Sequence, residues 1–213
     1  MVTVSPVESV VESQLSSGQL ACPVCGDGVL SRWGYARRRR LVGDDVSVCP
    51  RRARCGSCKA THVLLPATML SRRAYRADWI WDAFTAKAAG RGSRPIAAGL
   101  GVPASTVRGW LRRMATRLEV ARRRFTTVMI RAGVDRPVPK ATGSPWSDMV
   151  TAARAAAGAL TDRFGLYSII GTVTTPLVVA GVCGSRILAP VWTSTGGGGG
   201  PTRVDPAGRG WFL

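Results

Sequence analysis

Cys22-Pro-Val-Cys25 and Cys55-Gly-Ser-Cys58 are two Cys-x-x-Cys pairs with 29 residues between them, and no other feature restricts the folding of this chain so tightly. A two-residue gap lets both sulfurs of a pair face one ion, and two pairs can surround a tetrahedral Zn²⁺. Gly26 permits the tight turn that aims backbone N–H groups at sulfur. The stretch between the pairs is extended in pattern. Val29–Tyr35 and Arg37–Val42 read as strands, Gly43-Asp44-Asp45 as a turn and Val46-Ser-Val as the return. Thr61–Leu65 reads as a further strand ended by Pro66.

These elements predict a small antiparallel zinc ribbon over residues 21–67. So small a unit buries too little apolar surface to fold alone, and the ion supplies the missing stability. The expected ligands are Cys22, Cys25, Cys55 and Cys58. Cys49 and His62 are the rival ligands; a free thiol and a satisfied polar side chain are their other readings. Four thiolates close the coordination shell, whereas catalytic zinc keeps a position for water. A redox Cys-x-x-Cys needs a βαβ context that is missing here.

Charge comes next because it is unevenly placed. The 213 residues carry 30 basic and 12 acidic side chains, formally +18. Residues 22–131 hold 23 of the basic and 6 of the acidic ones, leaving the rest of the chain close to neutral. A concentrated positive segment calls for a polyanionic partner. Residues 1–20 have no Lys, no Arg and no long apolar run, so they read as a flexible leader rather than a secretory signal. Cysteines in a reducing compartment point to metal, and the expected location is cytoplasmic, with the nucleoid. Residues 164–185 are uncharged, but Pro176 and several glycines interrupt them. They read as a buried strand or short helix rather than a membrane span. Trp33 and Tyr35 are expected to pack beneath the ribbon, with base stacking as the alternative.

The predicted fold class is α+β: the ribbon, then a mostly helical region over 71–131, a Pro-rich linker over 132–145, and a C-terminal helical, apolar segment over 146–192. A tail follows at 193–213, with a run of five glycines that predicts disorder. Tyr75–Ala89 places Trp79, Ile80, Ala83 and Phe84 at helical spacing. Pro95–Leu100 is a short helix with Pro in its first turn. Gly101 supplies a positive-φ turn, Val102 plugs the interior and Pro103 restarts a helix whose inner side is Val107, Trp110, Leu111 and Met114. Leu111, Met114, Leu118, Ala121, Phe125 and Val128 step by 3 and 4, which predicts one continuous helix to about residue 130. Met149, Ala153, Ala156 and Leu160 form a matching stripe. The two stripes are expected to pair within one chain; a homodimer seam is the alternative.

The string Ile96-Ala-Ala-Gly-Leu-Gly-Val-Pro-Ala-Ser-Thr-Val-Arg-Gly-Trp-Leu-Arg-Arg113 resembles a bacterial helix-turn-helix. In that family the second helix enters the major groove with its N-terminal exposed residues at base edges. The resemblance implies Ala104, Ser105, Arg108 and Arg112 as readout residues. It makes Arg94, Arg113 and Arg117 phosphate contacts. In the ribbon, Arg37, Arg39 and Arg52 are candidates for tracking phosphates on the same double-stranded DNA.

Together, the knuckles, Trp33-Gly34-Tyr35 before an Arg run, Thr61-His-Val-Leu-Leu-Pro66 and the helix-turn-helix resemble a wider group. These are the zinc-ribbon plus helix-turn-helix DNA-binding proteins associated with bacterial insertion sequences and integrases. The resemblance implies a transposase accessory factor or a transcription regulator, with a transposase or integrase as a second partner. Three metal-binding carboxylates on an αβ core are not in evidence after residue 131, and a single histidine forbids most His-based schemes. The expected function is therefore non-enzymatic. A protein–protein adaptor recruiting a recombinase or RNA polymerase through the ribbon is the alternative.

Overall fold

The computed structural model describes residues 1–42, 47–165, 167–168 and 171–189. The turn expected at 43–45, the end of the C-terminal segment at 190–192 and the tail at 193–213 lie outside the described residues. The class is α+β, with a small sheet at the N-terminal end and helices after it.

Residues 1–20 correct the first expectation. Val2–Val4 is strand β1 and Glu8–Ser16 is helix α1. Val2 and Val4, alternating on the β-branched triplet, turn to one face; Val11 and Leu15, four apart on α1, turn to the same core. Their burial beside Leu20, Leu30, Ala53 and Leu64 explains why this stretch is ordered without any charge pattern to announce it. The remaining strands of the sheet lobe are β2 (Leu30–Tyr35), β3 (Arg39–Arg40), β4 (Ser47–Val48), β5 (Arg51–Cys55) and β6 (Thr61–Pro66). The main sheet runs β1-β6-β5-β2, while β3 and β4 pair as a separate ribbon. The β2–β5 and β5–β6 pairs are antiparallel as expected, but β1 lies parallel to β6, Val2 opposite Leu64. The sheet is therefore mixed.

The helical lobe begins with α2 (Ala77–Ala88), α3 (Ser93–Leu100) and α4 (Ala104–Ala115). Gly101 takes φ 64° and ψ 30°, the left-handed turn that ends α3, and its N–H bonds back to Ala97 and Ala98 carbonyls. Val102 follows it into the core, bonded to the Ala97 carbonyl. Ile80, Trp81, Phe84, Ile96, Val107, Trp110 and Met114 then close the three helices on one another. The helix that the sequence extends to residue 130 is broken: α4 stops at Ala115, and α5 (Leu118–Arg131) begins after Arg117, which sits at φ −127° and ψ −1°. A regular 3-and-4 spacing survives a change of direction when both pieces bury the same stripe, so the period alone could not reveal the break. Leu118, Ala121, Phe125 and Met129 face α6 (Pro145–Phe164) across the Pro-rich connection, pairing the two stripes within the chain. Ala153, Ala156 and Ala159 on α6 are fully buried, and their small side chains admit the neighbouring helices closely.

Two short strands, β7 (Tyr167–Ser168) and β8 (Gly171–Thr172), precede α7 (Thr175–Cys183). With nine residues α7 is a buried core helix, and no helix of the described residues is long and apolar enough to cross a membrane. The turn after it ties the lobes together. Ser185 N–H donates to Thr3 Oγ1 at 2.9 Å, and Ser71 N–H donates to the Ser185 carbonyl at 2.7 Å.

Candidate metal centre and basic helical face

Cys22 stands just before β2, Cys55 ends β5, and the turn from β5 to β6 brings Cys58 back beside both. The antiparallel β2–β5 register sets Leu30 opposite Cys55 and so fixes the two knuckles at the same end of the sheet. All four sulfurs lie within 4.8 Å of one another. Cys22 and Cys58 sulfurs are 3.7 Å apart, and those of Cys25 and Cys55 are 3.6 Å apart. The four can hold a metal ion. Cys49 is exposed and outside this group; His62 is buried but does not belong to it either.

The backbone is shaped around the sulfurs. Gly26 has φ 78°, which the knuckle turn requires, and its N–H bonds to the Cys22 carbonyl at 2.9 Å. Gly28 was not singled out by the sequence, yet a Cβ there would stand 2.2 Å from Cys55 sulfur and 2.9 Å from Cys25 sulfur. Any side chain at 28 would push into the thiol group. The Val24 N–H reaches Cys22 sulfur at 3.5 Å.

Four thiols so close cannot all ionise without a cation. Burial raises the Cys55 pKa, but the N–H groups of Cys58 and Ser57 and the neighbouring thiols overcome that and bring it to about 6. At Cys58 the Ala60 N–H favours the thiolate; burial and the three neighbouring thiols outweigh it and push the thiol up to about 12. One anion forms readily and the next is opposed, so all four thiols could ionise together only around a cation. Cys183 differs: it is buried in the helical core, and that burial pushes it up to about 12, leaving an inert thiol.

His62 takes a role that spacing alone did not assign. It is buried on β6, and Nε2 lies 3.5 Å from Cys22 sulfur. Burial, then the charge of the Met1 amino group, lowers its pKa and keeps the imidazole neutral. A neutral ring has one N–H. Nε2–H can donate to the sulfur while Nδ1 accepts from the Met1 amino group at 3.3 Å.

The predicted contact residues divide. Ser105, Arg108 and Arg112 are all exposed on one stripe of α4, and Arg94 is exposed on α3. Ala104 does not join them: it is half-buried and packs against the helical core. Arg113 is half-buried and folds back along its own helix, Nη1 donating to the Gly109 carbonyl at 3.0 Å. Gly109 makes that possible, because a Cβ there would stand 3.1 Å from the same nitrogen.

Arg117, expected as a phosphate contact, is 9% exposed. Its guanidinium donates to the Ile187 carbonyl and, at 2.6 Å, to that of Ala189. It lies at the α4–α5 break and pins the C-terminal turn, so it belongs to the fold. Arg37 is exposed after β2, whereas Arg39 on β3 and Arg52 on β5 are half-buried; all three stand on the sheet lobe, apart from the α3–α4 pair. Trp33 and Tyr35 contradict the expected packing beneath the sheet, being 51% and 52% exposed.

Residues 22–110 match a family described as a domain of unknown function, DUF6431. The match runs from the first cysteine to Trp110 on α4, and so takes in the thiol group and the α2–α3–α4 unit together. No curated protein and no solved structure matches the chain.

Proposed function

We propose that this chain is a non-enzymatic, zinc-stapled protein that binds double-stranded DNA through a helix-turn-helix formed by α3 and α4. The observation carrying the reading is the stripe of Ser105, Arg108 and Arg112 on α4, exposed and without an acidic residue on α3 or α4. An α-helix fits the major groove, and Arg can bond guanine there with two N–H groups. Arg94, near the start of α3, serves a phosphate. The ion is zinc. Four thiolates are its usual closed donor set, and tetrahedral Zn–S bonds of about 2.3 Å put sulfurs roughly 3.8 Å apart. The distances of 3.6 and 3.7 Å suit that ion. With no position left for water, it holds structure. The resemblance to insertion-sequence and integrase-associated proteins makes a transposition accessory or a transcription regulator the biological setting.

Selection of duplexes from a random pool, with metal measured on the same sample, tests this reading. One zinc per chain and an enriched motif are expected. Affinity should fall by about 0.9 log unit per log unit of salt for each phosphate neutralised. Arg108→Ala should relax preference at one base pair by about 1–3 kcal/mol, while Arg94→Ala weakens all duplexes alike. No retention of any duplex at low salt would sink the proposal.

A further inference from the structure

We infer that Trp33 is a base-stacking site for single-stranded nucleic acid, on the open face of the sheet lobe and separate from the α4 stripe. β2 is an edge strand, and after Leu30 each of its residues is exposed. Trp33 and Tyr35 put two half-exposed rings two residues apart on this edge. The placement of Trp33 is built. The β2–β5 register slips between Arg32 and Tyr35, so that Trp33 and Gly34 together oppose Arg52. Gly34 has φ 92°, a conformation that favours glycine. Such a bulge re-aims the side chain beside it.

The ring is held, not loose. The Arg54 guanidinium lies over it at 4.5 Å from the ring centre, which fixes one side and leaves the other side of the half-exposed indole available. Tyr35 carries Arg51 at 4.1 Å in the same manner. Arg51 and Arg54 are three apart on one strand and stand on opposite faces. The α1 side belongs to Arg51, which pairs with Glu12. The Trp33 side is the open one, with exposed Ser31 and Thr61 next to Arg54.

Charge decides what covers it. Residues 30–59 carry nine basic and two acidic side chains, so the partner is an anion with flat apolar faces. A nucleotide strand offers both. Bases inside a duplex already stack on one another and show only their edges, so an aromatic platform selects unpaired bases.

The test is fluorescence anisotropy of the full chain, zinc loaded, with a labelled oligo(dT) strand and, separately, a labelled blunt duplex. Trp33→Ala should weaken oligo(dT) binding about tenfold and leave the duplex unchanged. Trp33→Phe, which keeps a ring, should restore most of the loss. Arg108→Ala should do the reverse, lowering duplex affinity and sparing oligo(dT). Far-UV circular dichroism and zinc content identify any variant that has lost its fold, and Trp33→Phe then carries the comparison through loss of strand-dependent tryptophan quenching at retained binding. Three results overturn the inference: no binding of oligo(dT) by the wild type, equal binding by wild type and Trp33→Ala, or equal losses on strand and duplex. Failure of the duplex arm alone would overturn the helix-turn-helix reading and leave this one standing.

Discussion

The sheet lobe and the helical lobe are stabilised by different means. The helical lobe has one continuous core that runs from Ala67 through α2 to α7, closed by Phe84, Trp110, Phe125 and Met149. The sheet lobe has two small apolar clusters, one of which includes Cys22 and Cys55 among its own members. Where apolar area suffices, the chain can leave its arginines for the surface. Where it does not, an ion held by the four thiols would complete the fold, and the thiols could not then be exchanged for apolar residues of similar size. The lobes also place their exposed residues differently, on a helix stripe in one and a strand edge in the other.

The sharpest way to break that comparison is to remove the ion. Cys22→Ser, or a strong chelator, should abolish metal binding and unfold the sheet lobe, since binding free energy on the order of 10 kcal/mol goes with a structural zinc. The helical circular dichroism signal should persist, because the core behind it contains none of the four thiols. Simultaneous loss of helix and sheet would show one cooperative unit, and full metal retention by the variant would remove Cys22 from the ligand set.

A smaller effect separates two arginines within the helical lobe. Arg117→Ala should cost about 2–3 kcal/mol, because two buried carbonyls lose a charged donor. Arg117→Lys should not recover this, since an ammonium cannot reproduce the planar fork. Arg108→Ala, fully on the surface, should leave the melting temperature unchanged and alter only duplex binding and its sequence preference. If Arg117→Ala instead melts like the wild type while losing DNA affinity, the residue is a contact after all.

How much of this was legible depends on range. The thiol group could be read from spacing, because two residues between cysteines is itself a geometric statement. The Gly101 turn, and the pairing of α5 with α6, followed from local periodicity. The contribution of Val2–Val4 could not, since a three-residue strand has meaning only beside its partner β6, some sixty positions later. Val2, Val4, Val11 and Leu15 do carry a signal, period two and then period four, but each run is too short to specify an element without its partner. Arg117 failed for a related reason: on a helical wheel it stands between Arg113 and the buried Trp110, and the carbonyls that bury it come from residues 187 and 189. Trp33 failed because a bulge shifts the alternation by one residue, and the one mark of that bulge in the sequence is Gly34 inside the strand.

The smallest expected effect lies at the start of α5, and it asks whether acid weakens the two lobes through the same groups. Glu119 in the first turn accepts hydrogen bonds from Arg122 at 2.7 and 2.8 Å and from Arg123 at 2.8 Å. Those bonds, Arg122 first, hold its pKa down at about 2, against 4.5 for a free side chain. A depressed folded-state value means that the contribution is complete above pH 4.5 and is lost as the pH falls towards 2, because the unfolded chain takes up the proton first. The residue is exposed, so the effect is modest and salt weakens it. Glu119→Gln should therefore lower the helical melting temperature slightly at pH 7. The gap from the wild type should narrow steadily between pH 4.5 and pH 2. Helical ellipticity is the signal to follow, because a metal-loaded sheet lobe would lose its ion in acid on a separate schedule. A gap that stays constant down to pH 2 would mean that Glu119 acts by packing alone, with no part in the charge balance that distinguishes the helical lobe from the thiol-bound sheet.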